Sequence, residues 1–131
     1  MNVPMLLNPK QNTTFILADK SILEALAALR RSGFSSVPVI TERGKYYGTV
    51  YSSDFLDYIL DNGVSPDFNP VAEIVCQDKN PAVNIDADLK DIYDRLLDTN
   101  FVPVVDGRGC FVGIVTRKGL MTYLKRERIK W

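Results

Sequence analysis

Gly33-Phe-Ser-Ser-Val-Pro-Val-Ile-Thr-Glu-Arg-Gly-Lys-Tyr-Tyr-Gly-Thr-Val50 and Asn100-Phe-Val-Pro-Val-Val-Asp-Gly-Arg-Gly-Cys-Phe-Val-Gly-Ile-Val115 are one pattern written twice. Pro38 answers to Pro103, Gly44 to Gly109 and Gly48 to Gly113, each pair 65 positions apart. Both stretches hold a β-branched run (residues 37–40 or 102–105), a turn, and a second β-rich run (residues 46–50 or 111–115). The turns pass through Glu42-Arg43-Gly44 and Asp106-Gly107-Arg108-Gly109. Two such runs around a glycine turn predict a β-hairpin in each copy.

Upstream, Ser21-Ile-Leu-Glu-Ala-Leu26 aligns with Asp88-Leu-Lys-Asp-Ile-Tyr93 at an offset of 67, so the second copy lacks two residues between this helix and its hairpin. A surface connection tolerates such a deletion. Ser21 reads as an N-cap, with Glu24 completing a capping box. Ile22, Ala25, Leu26 and Leu29 share one helical face, and Gly33 stops the helix. In the second copy Asp88 caps, and Leu89, Ile92, Tyr93, Leu96 and Leu97 form the face. A further helix closes each copy, lined by Phe55, Leu56, Ile59 and Leu60 in the first and by Leu120, Met121 and Leu124 in the second. Asn62-Gly63 and Ser65-Pro66 end the first copy, and Asn69-Pro70 opens a short helix with Asn69 as N-cap and Pro70 in the first turn.

The predicted fold is therefore α+β: two β-α-β-β-α repeats, residues 1–64 and 65–131, related by pseudo-two-fold symmetry. One repeat has too small a sheet to stand alone, and two can close a common core. A chain of 131 residues hides about two-thirds of its unfolded surface on folding, so a real core is available.

Composition excludes several functions. Sixteen basic and 16 acidic residues balance to a formal charge of zero, whereas a protein that coats nucleic acid or an anionic membrane carries a positive excess. Two cysteines, Cys76 and Cys110, with no histidine are too few ligands for a zinc site or a disulfide framework. Without histidine no Ser–His or Cys–His pair can be assembled, and no glycine-rich phosphate loop is present. No signal peptide is evident, and no apolar run reaches the ~18 residues of a membrane span. The expectation is a cytoplasmic protein that is not an enzyme and uses no metal or cofactor.

The repeat pattern resembles the CBS domain family, whose tandem pair forms a Bateman module. The shared features are the amphipathic helix, the Val-Pro-Val strand, the glycine turn, and a Gly-x-x-Thr-x-x-Asp entry to the last helix. The resemblance covers nearly the whole chain. It implies that adenosine-containing ligands bind in clefts between the repeats, with the ribose held by the motif carboxylate, here Asp54. It places the base against the segment before the Val-Pro strand, here Phe34, Ser35 and Ser36, and Thr99, Asn100 and Phe101 in the second copy. It also brings in the first strand of each repeat: Thr13, Thr14, Phe15 and Ile16, then Pro81, Ala82 and Val83.

The chain departs from the family pattern in both copies. Tyr51 replaces the first motif Thr, with Ser52 and Ser53 beside it. In the second copy Thr116 is kept, but Gly119 stands where Asp is expected. Arg117 and Lys118 then place two cations at a helix N-terminus, the wrong sign for the dipole. An anion there, naturally a phosphate, would make them sensible. The run Gly113-Ile-Val-Thr-Arg-Lys118 before a basic last helix is similar to stand-alone cyclic di-AMP-binding CBS proteins of Gram-positive bacteria, in which such a basic pair meets the nucleotide phosphates.

Residues 117–131 carry six basic residues and one acidic residue, and residues 54–98 carry eleven acidic and three basic. Lys125, Arg126, Arg128 and Lys130 stabilise a helix C-terminus or, with Trp131, form a partner-binding tail. The expected function is a regulatory module for AMP, ATP or cyclic di-AMP, acting as a homodimer or through a regulated protein partner. The alternative is a ligand-free CBS dimerisation module.

Overall fold

The computed structural model describes residues 2–63 and 68–127. Ser65-Pro66 and the tail residues Arg128, Lys130 and Trp131 lie outside the described residues. The chain runs α1 (Val3–Leu6), β1 (Asn8–Pro9), a 3-10 turn (Lys10–Asn12), β2 (Ile16–Leu17), α2 (Ile22–Ser32), β3 (Ser36–Ile40), β4 (Tyr46–Tyr51), α3 (Ser52–Asn62), a second 3-10 turn (Val71–Ile74), β5 (Val83–Asn84), α4 (Leu89–Leu96), β6 (Phe101–Val105), β7 (Phe111–Thr116) and α5 (Arg117–Arg126). No helix among the described residues is long and apolar enough to cross a membrane. The secondary structure is mixed α+β, gathered into two compact units. One is Thr14–Lys79. The other, here the split unit, joins Met1–Thr13 to Asn80–Trp131.

The Thr14–Lys79 unit has a three-stranded sheet in the order β2-β3-β4. β2 lies parallel to β3, with Ile16 opposite Val39, and β3 lies antiparallel to β4, with Val37 opposite Val50. Ser21 caps α2: its Oγ accepts from the Glu24 N–H at 3.1 Å and donates to the Glu24 carboxylate at 3.2 Å. Gly33 ends the helix in the left-handed region at φ 75°, a conformation that glycine adopts without steric cost. The core joins Ile16, Ile22, Ala25, Leu29, Val37, Val39, Val50, Phe55 and Val71.

The short helix after Pro70 differs from the expectation. It is a 3-10 turn, and Pro70, not Asn69, is its N-cap. The reason is pairing with the start of α2. Ser21 and Pro70 form a β-bridge, the Ile22 N–H donates to the Asn69 carbonyl at 2.8 Å, and the Val71 N–H donates to the Lys20 carbonyl at 2.7 Å. The chain is therefore held extended as far as Pro70.

The split unit has a four-stranded sheet in the order β1-β7-β6-β5. Its hairpin repeats the first, with the same register shift at Val104/Val105 as at Val39/Ile40. Its outer edge is occupied by β1, antiparallel to β7, with Asn8 opposite Ile114 and Pro9 opposite Gly113. The core joins Val3, Ile92, Leu96, Val102, Val104, Val115 and Leu120.

The two-residue deficit of the second copy falls inside the helix rather than in the connection. α2 has 11 residues and α4 has eight, so the last turn is what the second copy lacks. The predicted helical faces are also only partly covered. Phe55, Ile92, Leu96 and Leu120 are buried, while Leu56, Leu60, Tyr93, Leu97 and Met121 are exposed. A helix laid on a sheet buries one narrow stripe, and the neighbouring apolar row stays outside.

Candidate functional site

Each unit carries the same local joint. The backbone N–H of Ser52, the first residue of α3, donates to the Ser35 carbonyl at 2.9 Å. The N–H of Arg117, the first residue of α5, donates to the Asn100 carbonyl at 2.9 Å. The first N–H groups of a helix have no partner within it, and here one of them fastens the segment that enters the hairpin. The two stretches that the sequence assigned to base and to phosphate or ribose thus meet within each unit through one hydrogen bond.

In the Thr14–Lys79 unit Phe34 is 59% exposed and so is not a core residue. Its N–H donates to Ser32 Oγ at 3.1 Å, and that hydroxyl donates to the Leu29 carbonyl at 2.6 Å, which fixes the loop to the end of α2. Ser35 and Ser52 are exposed, while Ser36 and Tyr51 are half-buried and face each other across the end of the hairpin. Asp54 is half-buried, and its Oδ2 accepts from the Tyr51 N–H at 2.8 Å. One carboxylate oxygen therefore closes the start of α3, where negative charge is favourable, and Oδ1 remains for a second acceptor role. Thr14 is exposed just ahead of β2. Ile16 belongs to the core and offers a ligand no side-chain surface.

In the split unit Thr13 turns its hydroxyl onto its own chain, donating to the Pro9 carbonyl at 2.9 Å and the Asn8 carbonyl at 3.3 Å. Thr116 caps α5: its Oγ1 accepts from the Gly119 N–H at 2.8 Å. Asn100 is exposed, whereas Phe101 is 6% exposed within β6 and presents no face for stacking.

Arg117 needs no anion to account for its charge. Its Nε donates to the Leu96 carbonyl at 2.8 Å and its Nη2 reaches the Leu97 carbonyl at 3.5 Å. The guanidinium thus serves the C-terminus of α4, where a cation is favourable. Lys118 is exposed, and its side chain has no hydrogen bond or ion pair among the described residues.

Three polar residues escaped the sequence reading. Asn80 is 2% exposed; its Nδ2 donates to the Phe101 carbonyl at 3.3 Å and its Oδ1 accepts from Arg95 Nη2 at 2.6 Å. Arg95 also donates to the Pro81 carbonyl at 2.7 Å. Asn80 lies 67 positions after Thr13, so the repeat offset was a usable pointer. Nothing local announces that an asparagine before a proline is buried. The third is Lys79, whose Nζ stands 4.1 Å from the centroid of the Tyr51 ring.

Fold and repeated joint together define a tandem of β-α-β-β-α modules with exposed polar loops at the helix starts. A family model of the CBS domain matches residues 8–61 and 71–126, and the chain belongs to the CBS domain family, as a tandem pair. The crystal structure of CbpB in complex with c-di-AMP is similar at a TM-score of 0.89 and 27% identity, covering 96% of this chain and 85% of that one. The structure of CbpB from Streptococcus agalactiae is similar at a TM-score of 0.84 and 28% identity, covering 92% and 77%. An uncharacterized protein of Methanopyrus kandleri is 22% identical over 108 residues, 78% of this chain and 53% of that protein. The chain thus spans about half the length of this curated relative.

Proposed function

We propose that the chain is a non-catalytic regulatory module that binds an adenine nucleotide, cyclic di-AMP above others, and signals through its own dimer or a protein partner. The observation that carries this reading is the joint built twice, Ser35 to Ser52 and Asn100 to Arg117, each at 2.9 Å. It holds backbone groups able to read a base edge beside a helix start able to receive ribose or phosphate. Exposed Phe34 adds a stacking face, and Asp54 keeps one carboxylate oxygen for ribose hydroxyls. Cyclic di-AMP is favoured over AMP because only one repeat retains the motif carboxylate, Gly119 replacing the other. The CbpB structure bound to c-di-AMP, at 27% identity, supports the same choice. The exposed apolar residues Leu56, Leu60, Tyr93, Leu97 and Met121 support a homodimer, and the cytoplasm is the compartment in which such a module would meet nucleotides.

Calorimetric titration with AMP, ATP and cyclic di-AMP in parallel tests the proposal. Micromolar or tighter binding of cyclic di-AMP, with weaker AMP and ATP, is the expected result. Preference for AMP or ATP would instead make the module an energy sensor centred on Asp54. Silence from all three would overturn nucleotide binding and favour the ligand-free interaction module, which the loss of the second carboxylate at Gly119 also fits.

A further inference from the structure

The two repeats differ in charge where a phosphate would be held. α5 begins with Arg117 and Lys118; α3 begins with Ser52 and Ser53 and then carries Asp54 in its first turn. A nucleotide phosphate brought to α3 would meet a carboxylate and no cation on that helix.

A cation is present from another segment of the same unit. Lys79 Nζ lies 4.1 Å from the centroid of the Tyr51 ring. Tyr51 is the residue immediately before α3, and its N–H is tied to Asp54 Oδ2 at 2.8 Å, so the ring projects from a fixed backbone. Lys79 leaves a closed turn, its own N–H donating to the Cys76 carbonyl at 3.2 Å. It is exposed, and it makes no ion pair among the described residues. An ammonium over an aromatic face is held by the ring quadrupole, weakly enough at an exposed site that a phosphate oxygen can take it in a stronger charge-assisted hydrogen bond. Tyrosine at position 51 then has a use that the threonine at 116 lacks. It exchanges a capping hydroxyl for a platform that keeps a lysine over the ring of the residue preceding α3.

We infer that Lys79 is the phosphate-binding cation of the Thr14–Lys79 unit and that Tyr51 positions it. This assignment rests on the nucleotide-binding reading above and supplies what that reading lacks at α3. The ligand chemistry is an adenosine carrying a phosphate or phosphodiester.

The test titrates cyclic di-AMP, AMP and adenosine into wild type, Lys79→Ala, Lys79→Arg and Tyr51→Thr at two salt concentrations. Lys79→Ala is expected to weaken the phosphorylated ligand roughly tenfold and flatten its salt dependence, while adenosine binds as before. Lys79→Arg should restore most of the affinity, and Tyr51→Thr should show much of the loss with Lys79 still present. Cyclic di-AMP and AMP losses compared side by side tell a bridging phosphodiester from a terminal phosphate. Unchanged affinity in Lys79→Ala, or equal losses for adenosine and nucleotide, would overturn the role of Lys79 while leaving nucleotide binding intact. Failure of wild type to bind any of the three would remove both together. Because Lys79 is exposed, the melting temperature of Lys79→Ala should match wild type, which separates a binding defect from a folding one.

Discussion

Arg117 finishes a helix that has no glycine to finish it. α2 stops on Gly33, but α4 ends at Leu97 in the right-handed region, and its last carbonyls turn to the Arg117 guanidinium. A hydrogen bond from a charged donor contributes more than a neutral one, about 1.5 kcal/mol in a partly buried setting. Arg117→Ala should therefore lower the free energy of unfolding by about 1–2 kcal/mol, with faster amide exchange in the segment leading into β6. Arg117→Lys should recover part of this loss. Denaturant titration and hydrogen exchange read both effects, and an unchanged midpoint for Arg117→Ala would refute the cap. From sequence the residue pointed toward an anion, because its only visible context was the helix that it begins. The carbonyl it serves lies 21 residues earlier, a distance over which local pattern is silent. Asp54 and Thr116 are the opposite case: the sequence singled them out through the family motif as ligand residues, and the bond that each makes at a helix start spans only three residues.

The hairpins, helices and glycine turns were legible because each is a local pattern: period two in the strands, a 3.6 period in the helices, a left-handed glycine at the turn. Gly44 and Gly109 indeed turn at φ 83° and 80°. α1 and β1 had no such signal, since a two-residue strand such as β1 exists only through its pairing with β7. The outward apolar row was also invisible, because periodicity defines a face without saying how much of it is covered. The matched glycines separate at this scale. A Cβ on Gly113 would run into the Asn8 carbonyl and stand 3.0 Å from Pro9 Cα, both backbone atoms of the strand beside it. A Cβ on Gly48 would meet chiefly the Val75 side chain, which can rotate away. Gly113→Ala should thus cost about 2–3 kcal/mol of stability, in the range of overpacked sites, and Gly48→Ala clearly less. Parallel urea titrations of the two variants decide it, and equal costs would argue against β1 lying so close to β7.

At the scale of the molecule, exposed Leu56 and Leu60 on α3, Tyr93 on α4, Leu97 at its end and Met121 on α5 have energetic weight only if something covers them. Leu60 is 74% exposed, so Leu60→Glu removes little intramolecular burial and should leave thermal stability within about 0.5 kcal/mol at low protein concentration. If the proposed homodimer forms through this row, light scattering should show wild type as a dimer and Leu60→Glu as a monomer; a wild type of monomer mass would refute the dimer, and an unshifted dimer mass would place its surface elsewhere. The family was legible in sequence because the pattern occurs twice at a fixed spacing. The choice of ligand was less so, because under the proposal it rests on single residues such as Lys79, whose ring neighbour Tyr51 lies far from it in the chain.

The composition of the split unit bears on the order in which the protein can acquire its shape. β1 is synthesised before every other strand described, yet its partner Ile114 on β7 follows Asn8 by more than a hundred residues. Val3, buried in the same core as Val102 and Val115, waits just as long. While translation proceeds, the residues of the Thr14–Lys79 unit have their own partners at hand early, but the thirteen residues before them have none. They stay available to a chaperone, a protease or a neighbouring nascent chain until almost the whole sequence has emerged.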